Sequence, residues 1–108
     1  MRTFNTIEEI KLELIEGNLI IKENVTINCN IPRGTIYNLT CWNLTCRDLD
    51  CRNLDCLNLT CRNLDCNNLS YYAICSSYNS ISCNSYEIRR QNGHAPITLD
   101  GSLTIKNK

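Results

Sequence analysis

The chain has 108 residues, which is enough for one small domain with a single narrow core. Its 11 basic and 11 acidic residues give a formal net charge of zero, which excludes the strongly basic surface typical of nucleic-acid-binding proteins. The N-terminus has no charged-then-apolar export signal, and no apolar run approaches the roughly 20 residues that cross a bilayer. We therefore expect a cytoplasmic protein that makes no direct contact with nucleic acid or membrane.

Residues 1–17 are predicted to form an N-terminal cap. Thr6 and Glu9 have the spacing of a capping box, which marks the start of a helix. The apolar residues that follow share one helical face: Ile7, Ile10 and Leu14. A strand through residues 10–14 is the alternative, but the glutamates and the start signal favour the helix.

A five-residue repeat follows at residues 39–68, reading LTCWN LTCRD LDCRN LDCLN LTCRN LDCNN. Helical faces recur every three or four residues, whereas leucine and cysteine here are two residues apart, which is the spacing of one strand face. Identical short units bury apolar side chains by winding into a coil and stacking on themselves. We therefore predict a coil with leucine and cysteine inside, and with Asn or Asp at its turns.

Nine cysteines are present, an odd number, and the six in the repeat are each separated by four residues. Zinc ligands are usually paired two to four residues apart, and no CxxC pair occurs. Cysteine is also a small residue that is readily buried. We interpret the cysteines as packing residues and predict neither a metal nor a cofactor. Metal or redox chemistry by the thiols stays open as an alternative.

The repeat resembles the pentapeptide-repeat family, whose chains wind into a right-handed, four-sided β-helix with one pentad per side. The order of the inward residues differs, because Asn or Asp precedes leucine here and the small residue follows it. Four pentads per turn would stack residues 20 apart. The resemblance thus implies six named pairs: Leu44 over Leu64, Cys41 over Cys61, Cys46 over Cys66, Asn43 over Asn63, Trp42 over Arg62, and Thr45 over Asp65.

The fold class expected for this single domain, residues 1–108, is all-β: a short right-handed quadrilateral β-helix between two caps. The β-solenoid covers residues 18–90. Residues 91–108 form the second cap, because two alternating runs flank Asp100 and Gly101, a strong hairpin signal. The tyrosines after the repeat are predicted to form a homodimer interface, in keeping with the dimers common in the family: Tyr71, Tyr72, Tyr78 and Tyr86. Filling of a wider final turn would equally account for them.

The sequence contains no catalytic motif. His94, the only histidine, lies in a Gly- and Pro-bounded stretch and is interpreted as a loop residue. We predict a non-enzymatic binding protein that occupies a protein partner of a bacterial host, such as a defence or nucleic-acid-processing enzyme. The overall layout resembles small proteins of phages and prophages of Gram-positive bacteria, which often inhibit host enzymes. A structural or assembly element of a phage or prophage is the alternative.

The protein-binding surface is predicted to be the outward row of the repeat, because an exposed Trp and Leu among arginines match the composition of binding hot spots. This row consists of Trp42, Arg47, Arg52, Leu57 and Arg62. A purely solvating role is the plainer alternative. Pentapeptide-repeat proteins that imitate acidic duplex DNA bind type II topoisomerases, but aspartates and arginines are interleaved here, which weakens that version.

Overall fold

The structure is a computed structural model that describes residues 1–106. It is a parallel β-solenoid of about five turns, with one short helix. The molecule measures 34 × 25 × 24 Å. The elements in chain order are β1 (Arg2–Phe4), α1 (Ile7–Lys11), β2 (Asn18–Ile20), β3 (Val25–Ile27), β4 (Asn38–Thr40), β5 (Asn43–Thr45), β6 (Asp48–Asp50), β7 (Asn53–Asp65), β8 (Asn68–Cys83), β9 (Ser85–Ile88), β10 (Ile97–Thr98) and β11 (Leu103–Ile105).

Each turn of the coil has three sides. On the first side, β2, β4, the starts of β7 and β8, and β9 pair in parallel. The second side carries β1, β3, β5, the middles of β7 and β8, and β10. The third side carries β6, the ends of β7 and β8, and β11. The long strands β7 and β8 therefore each run around a whole turn.

The number of pentads per turn was predicted wrongly. Leu44 pairs with Leu59, and Leu49 pairs with Leu64, so residues 15 apart are stacked and three pentads complete one turn. None of the six predicted 20-residue pairs forms. Asn43 bonds to Asn58 instead of Asn63, and Thr45 lies beside Thr60 instead of Asp65. The remaining four predictions fail for the same reason, because the second residue of each pair lies one side further around the coil: Cys61, Arg62, Leu64 and Cys66.

The inward positions are those predicted. Every leucine of the repeat pattern and every cysteine from Cys41 to Cys66 is buried, whereas the arginines between them are exposed. Each side of the repeat has Asn or Asp, then Leu, then Thr or Asp, so the leucine is its central, inward residue, and the cysteine two residues later lies inside the corner. Leucine from three sides and cysteine from three corners thus fill each turn.

Side-chain ladders support the start of each side. On the first side, Asn38 donates to Asn18 over 2.6 Å, Asn53 donates to Asn38 over 2.5 Å, and Asn68 donates to Asn53 over 2.7 Å. The asparagine in the repeat is therefore more than a turn former, because its amide both donates and accepts along the stack.

The N-terminal cap contains the predicted helix. In α1 the Thr6 side chain accepts from the Glu9 backbone, and the Glu9 side chain accepts from the Thr6 backbone, which completes the capping box. Ile10 is fully buried at this end of the coil. The sequence-based prediction missed β1, which precedes the helix and pairs with β3 as part of the second side.

The predicted C-terminal hairpin does not form. Both β10 and β11 pair in parallel with β8 and not with each other, so this segment is the last turn of the coil. Between them, Leu99 and Asp100 donate to the carbonyls of Ser77 and Tyr78 and carry the chain around a corner. A Cβ atom on Gly101 would collide with the Asn79 carbonyl oxygen, so glycine is needed here for close backbone approach. Residues 107 and 108 of the predicted cap lie outside the described part of the chain.

Candidate functional site

The outward residues that interrupt the Leu-Cys pattern lie along the three edges of the coil. The residue after each repeat cysteine is at a corner and points outward, and successive turns place such residues above one another. The predicted binding row therefore does not form one surface. Its five residues are divided among three edges.

The first edge, between the first and second sides, is apolar over three successive turns, with Glu23 on the turn before them and Arg90 on the turn after. The apolar part consists of Trp42, Leu57 and Tyr72, and the Leu57 amide donates to the Trp42 carbonyl over 2.8 Å. At the next turn a register shift places Tyr72 and Ala73 opposite Leu57. The three large side chains are 50%, 37% and 46% exposed. Stacked strands are about 4.8 Å apart, so these residues form an apolar ridge roughly 10 Å long.

The second edge, between the second and third sides, carries two of the predicted arginines. The Arg62 amide donates to the Arg47 carbonyl, and the next turn brings Tyr78 to this edge. The Arg62 guanidinium forms an ion pair of 3.2 Å with Asp48. A hydrogen bond from Asn63, together with Arg62, holds the pKa of Asp48 below its usual value. Arg62 thus balances the negative charge of Asp48 on this edge. The edge therefore does not resemble the acidic surface of duplex DNA.

Arg52 belongs to the third edge, between the third and first sides. Its guanidinium lies over the Tyr37 ring, 4.3 Å from the ring centroid. The repeat does contain an arginine stacked on an aromatic ring, but the pair is Arg52 and Tyr37 rather than Arg62 and Trp42. Arg52 and Trp42 lie on different edges of the coil. One flat partner surface therefore cannot contact both residues, as the predicted row required.

One of the four predicted interface tyrosines is buried. Tyr71 has no exposed surface, and its hydroxyl donates to the His94 carbonyl oxygen. It occupies the inward position that Cys56 holds one turn earlier, so it fills the widening coil and is not available to another chain. Tyr72, Tyr78 and Tyr86 are exposed, but Tyr72 is on the first edge, Tyr78 on the second, and Tyr86 on the first side of the last turn.

The six thiols of the repeat lie inside the corners, and Cys75 takes the inward position that Leu59 holds on the second side one turn earlier. Burial raises the pKa of Cys41, Cys51 and Cys75 to about 12. A hydrogen bond to Cys61, together with burial, raises the pKa of Cys46. Reactive cysteines are accessible thiolates, and these buried thiols are the opposite. No group of three His, Cys, Asp or Glu side chains within residues 1–106 is arranged to hold a metal ion.

Sequence reasoning missed that Tyr72 belongs with Trp42 and Leu57. The signal was present, because these three apolar residues recur at intervals of 15 while arginine or asparagine occupies the corner positions between them within the repeat. This interval predicts both the three-sided turn and the apolar ridge.

No model of a known protein family matches this chain, and searches of curated proteins and of solved structures found no match either. Among the described residues, no helix has the length and apolar character needed to cross a membrane.

Proposed function

We propose that this protein is a non-enzymatic binding protein that docks a protein partner on the apolar ridge of Trp42, Leu57 and Tyr72. The observation that carries the proposal is the vertical alignment of these three side chains on successive turns. In a monomer, three large apolar side chains on one edge remain in contact with water. In a protein interface, by contrast, Trp and Tyr residues near the centre supply most of the binding energy.

The neighbourhood of the ridge is suited to binding without rearrangement. Backbone hydrogen bonds between successive turns fix the spacing of the three side chains, so little conformational entropy is lost when a partner covers them. Ile74, 46% exposed, follows Tyr72 on the same strand and widens the apolar area. The partner would need an apolar groove of the same length as the ridge.

We place the partner in the cytoplasm of a bacterial host and propose a defence or nucleic-acid-processing enzyme as its class. The support is the resemblance of the Cys-Asn pentads to the pentapeptide-repeat family and of the layout to small phage and prophage proteins. Inhibition by occupation of the partner's surface follows from this origin. A structural or assembly element of a phage or prophage is the competing proposal, and it predicts self-assembly rather than one host partner.

The experiment is affinity capture from lysates of Gram-positive bacteria, followed by a dissociation constant for the purified partner. Wild-type protein is expected to retain one stoichiometric protein. Trp42→Ala and Tyr72→Ala should each weaken binding by about 30-fold or more, as at interface hot spots. Tyr78→Ala is the matched control, because it removes an equally exposed tyrosine from another edge. Equal binding by Tyr72→Ala and wild type contradicts the proposal, and assembly into large particles supports the structural alternative.

We also propose a homodimer, formed through the C-terminal end of the coil. Four side chains in inward register positions of the last turn are not fully covered: Tyr86 is exposed, and Ile88, Leu103 and Ile105 are only partly buried. The other end is covered by α1, so the two ends differ. Strands β9, β10 and β11 have further pairing edges there, and a second copy would cover both the edges and the apolar side chains.

Light scattering tests the dimer. The wild type should have twice the monomer mass at high concentration, and Leu103→Lys should shift it to the monomer, because it places a charge in the proposed contact. Tyr78→Lys, with its charge on the second edge, should remain a dimer. A wild-type monomer at high protein concentration contradicts this proposal and leaves the ridge proposal unaffected.

A further inference from the structure

A cleft of about 330 Å³ runs along the third edge of the coil. Its wall is the segment 32–36, which replaces the two-residue corner of the repeat with a longer loop. This loop begins after Ile31, which bridges to Leu49, and Gly34 in it has a positive φ of 92° with open space around its Cα. The extra residues therefore build a concave surface on this edge of the coil.

Three cations converge on this cleft from different elements. Arg33 comes from the loop, Arg52 from the corner, and Lys106 from the end of β11. Two carboxylates lie between them: Asp50 is 3.6 Å from Arg33, and Asp65 is 2.5 Å from Lys106. The charged groups of the cleft thus carry one excess positive charge.

The Arg52 guanidinium is held in place by a stack. One face lies over the Tyr37 ring, and the ring in turn lies against Gly17, where a Cβ atom would approach a ring carbon to 2.6 Å. Gly17 therefore admits the ring, and the ring orients Arg52. A guanidinium fixed in this way can present its N–H groups to a ligand with little further loss of rotamer freedom.

We propose that this cleft binds a small molecule bearing a phosphate group. A phosphate has three terminal oxygens that can be approached from several directions, which suits cations arriving from a loop, a corner and a strand end. A carboxylate offers two oxygens in one plane and would contact one wall only. Asn67, which is also part of the cleft and follows Arg52 along this edge, supplies an amide donor. The site is independent of the apolar ridge.

The aspartate beside Lys106 predicts the direction in which a substitution changes the phosphate affinity. Asp65 holds Lys106 and repels an incoming anion. Replacing it with asparagine frees the ammonium group and removes the repulsion, so phosphate affinity should rise severalfold. A residue with a purely structural role would not produce a gain on removal of its charge.

The experiment is an NMR titration of the full chain with inorganic phosphate and with glycerol 3-phosphate, using acetate as the carboxylate probe. Saturable shifts are expected at the amides of Tyr37, Arg52 and Asn67. Arg52→Ala should weaken binding about tenfold or more, as expected for loss of a charge-assisted hydrogen bond, and Arg52→Lys should weaken it less. Arg47→Ala removes an exposed arginine from the second edge and should leave the affinity unchanged.

Four results would overturn the proposal. These are the absence of saturable shifts with either phosphate probe, an equal loss in Arg47→Ala and Arg52→Ala, an unchanged or weaker affinity in Asp65→Asn, and acetate binding as tight as phosphate binding. Far-UV circular dichroism of each variant establishes that the coil is intact. Should Arg52→Ala fail to fold, Arg52→Lys and Asp65→Asn decide the matter.

Discussion

The repeat tract and the segments on either side of it use the same coil in different ways. Between Asn38 and Ser70 every turn takes three pentads, and Asn53 follows Asn38 in strict register. Outside the tract the turns lengthen: Val25 pairs with Leu44 at an offset of 19, and Ile81 pairs with Leu103 at an offset of 22. The added residues lie in corners, where they build the cleft wall and the final turn. Regular pentads thus provide the scaffold, and departures from them provide individual surfaces.

The largest difference between the two regions should appear in core packing. Leu59 in the tract is 1% exposed, whereas Leu103 in the last turn is only partly buried. Leu59→Ala should lower the free energy of unfolding by about 2–5 kcal/mol, because it leaves a cavity that strands on both sides hold open. Leu103→Ala should cost less than half as much. Urea denaturation at a protein concentration low enough for the monomer compares them, and equal losses would mean that the last turn packs as tightly as the tract.

Alkaline pH should destabilise the coil through its thiols. An unfolded thiol titrates near pH 8.5–9, whereas Cys41, Cys51 and Cys75 have pKa values raised to about 12 by burial. Between these values the unfolded chain loses protons that the folded chain keeps, so stability falls as the pH rises. From pH 8 to pH 10 we expect a loss of roughly 1–2 kcal/mol per thiol.

The measurement is urea denaturation at both pH values under reducing conditions. Cys51→Ala provides the control. Because it lacks one buried thiol, its free energy of unfolding should fall less between the two pH values than that of the wild type, and the difference should equal the contribution of one thiol. An identical pH dependence in this variant would contradict the contribution of the buried thiols.

The asparagine ladder should contribute less than the core. Asn58 donates to Asn43 over 2.8 Å and accepts from the Ile74 amide over 3.1 Å. Asn58→Ala removes both bonds and should cost about 1–2 kcal/mol in chemical denaturation. Asn92→Ala, in the exposed segment before β10, should change stability by less than about 0.5 kcal/mol. A similar small effect at Asn58 would show that water replaces the ladder at no cost.

The smallest effect is expected at the N-terminal cap. Thr6→Ala removes the side-chain acceptor of the capping box and should lower stability by about 1 kcal/mol. Thr6→Ser keeps the hydroxyl and should restore most of it. Thermal unfolding of the two variants gives the comparison, and equal midpoints would show that α1 does not depend on this cap.

The local features of the fold could be predicted from sequence, whereas the inward leucines and cysteines of the pentads do not determine the number of sides. Leu44 and Cys46 are two residues apart and therefore share a strand face, and Thr6 with Glu9 marks a helix start. Any whole number of identical pentads per turn stacks leucine on leucine, so the inward pattern does not distinguish three pentads from four. Four sides were implied by the family resemblance alone.

The grouping of the five candidate residues into one row was wrong for the same reason. With turns of four pentads, Trp42 is assigned to the wrong neighbour, and its true partners Leu57 and Tyr72 are separated. The alternating apolar and polar residues on either side of Asp100 and Gly101 fit a hairpin and a corner of the coil equally well. The sequence does not show that β8 has a free edge on both the second and the third side, where β10 and β11 pair with it. Composition did identify Trp42 and Leu57 as exposed apolar residues, and the 15-residue interval that continues to Tyr72 was the signal that could have grouped them.

The three-pentad turn with leucine at its centre is the claim on which the edges, the ridge and the cleft depend. Nuclear Overhauser effects between backbone protons of neighbouring strands measure it directly in solution. We predict contacts between residues three pentads apart, joining Leu44 to Leu59 and Leu49 to Leu64. Contacts between Leu44 and Leu64 in their place would show a four-sided coil and contradict this account.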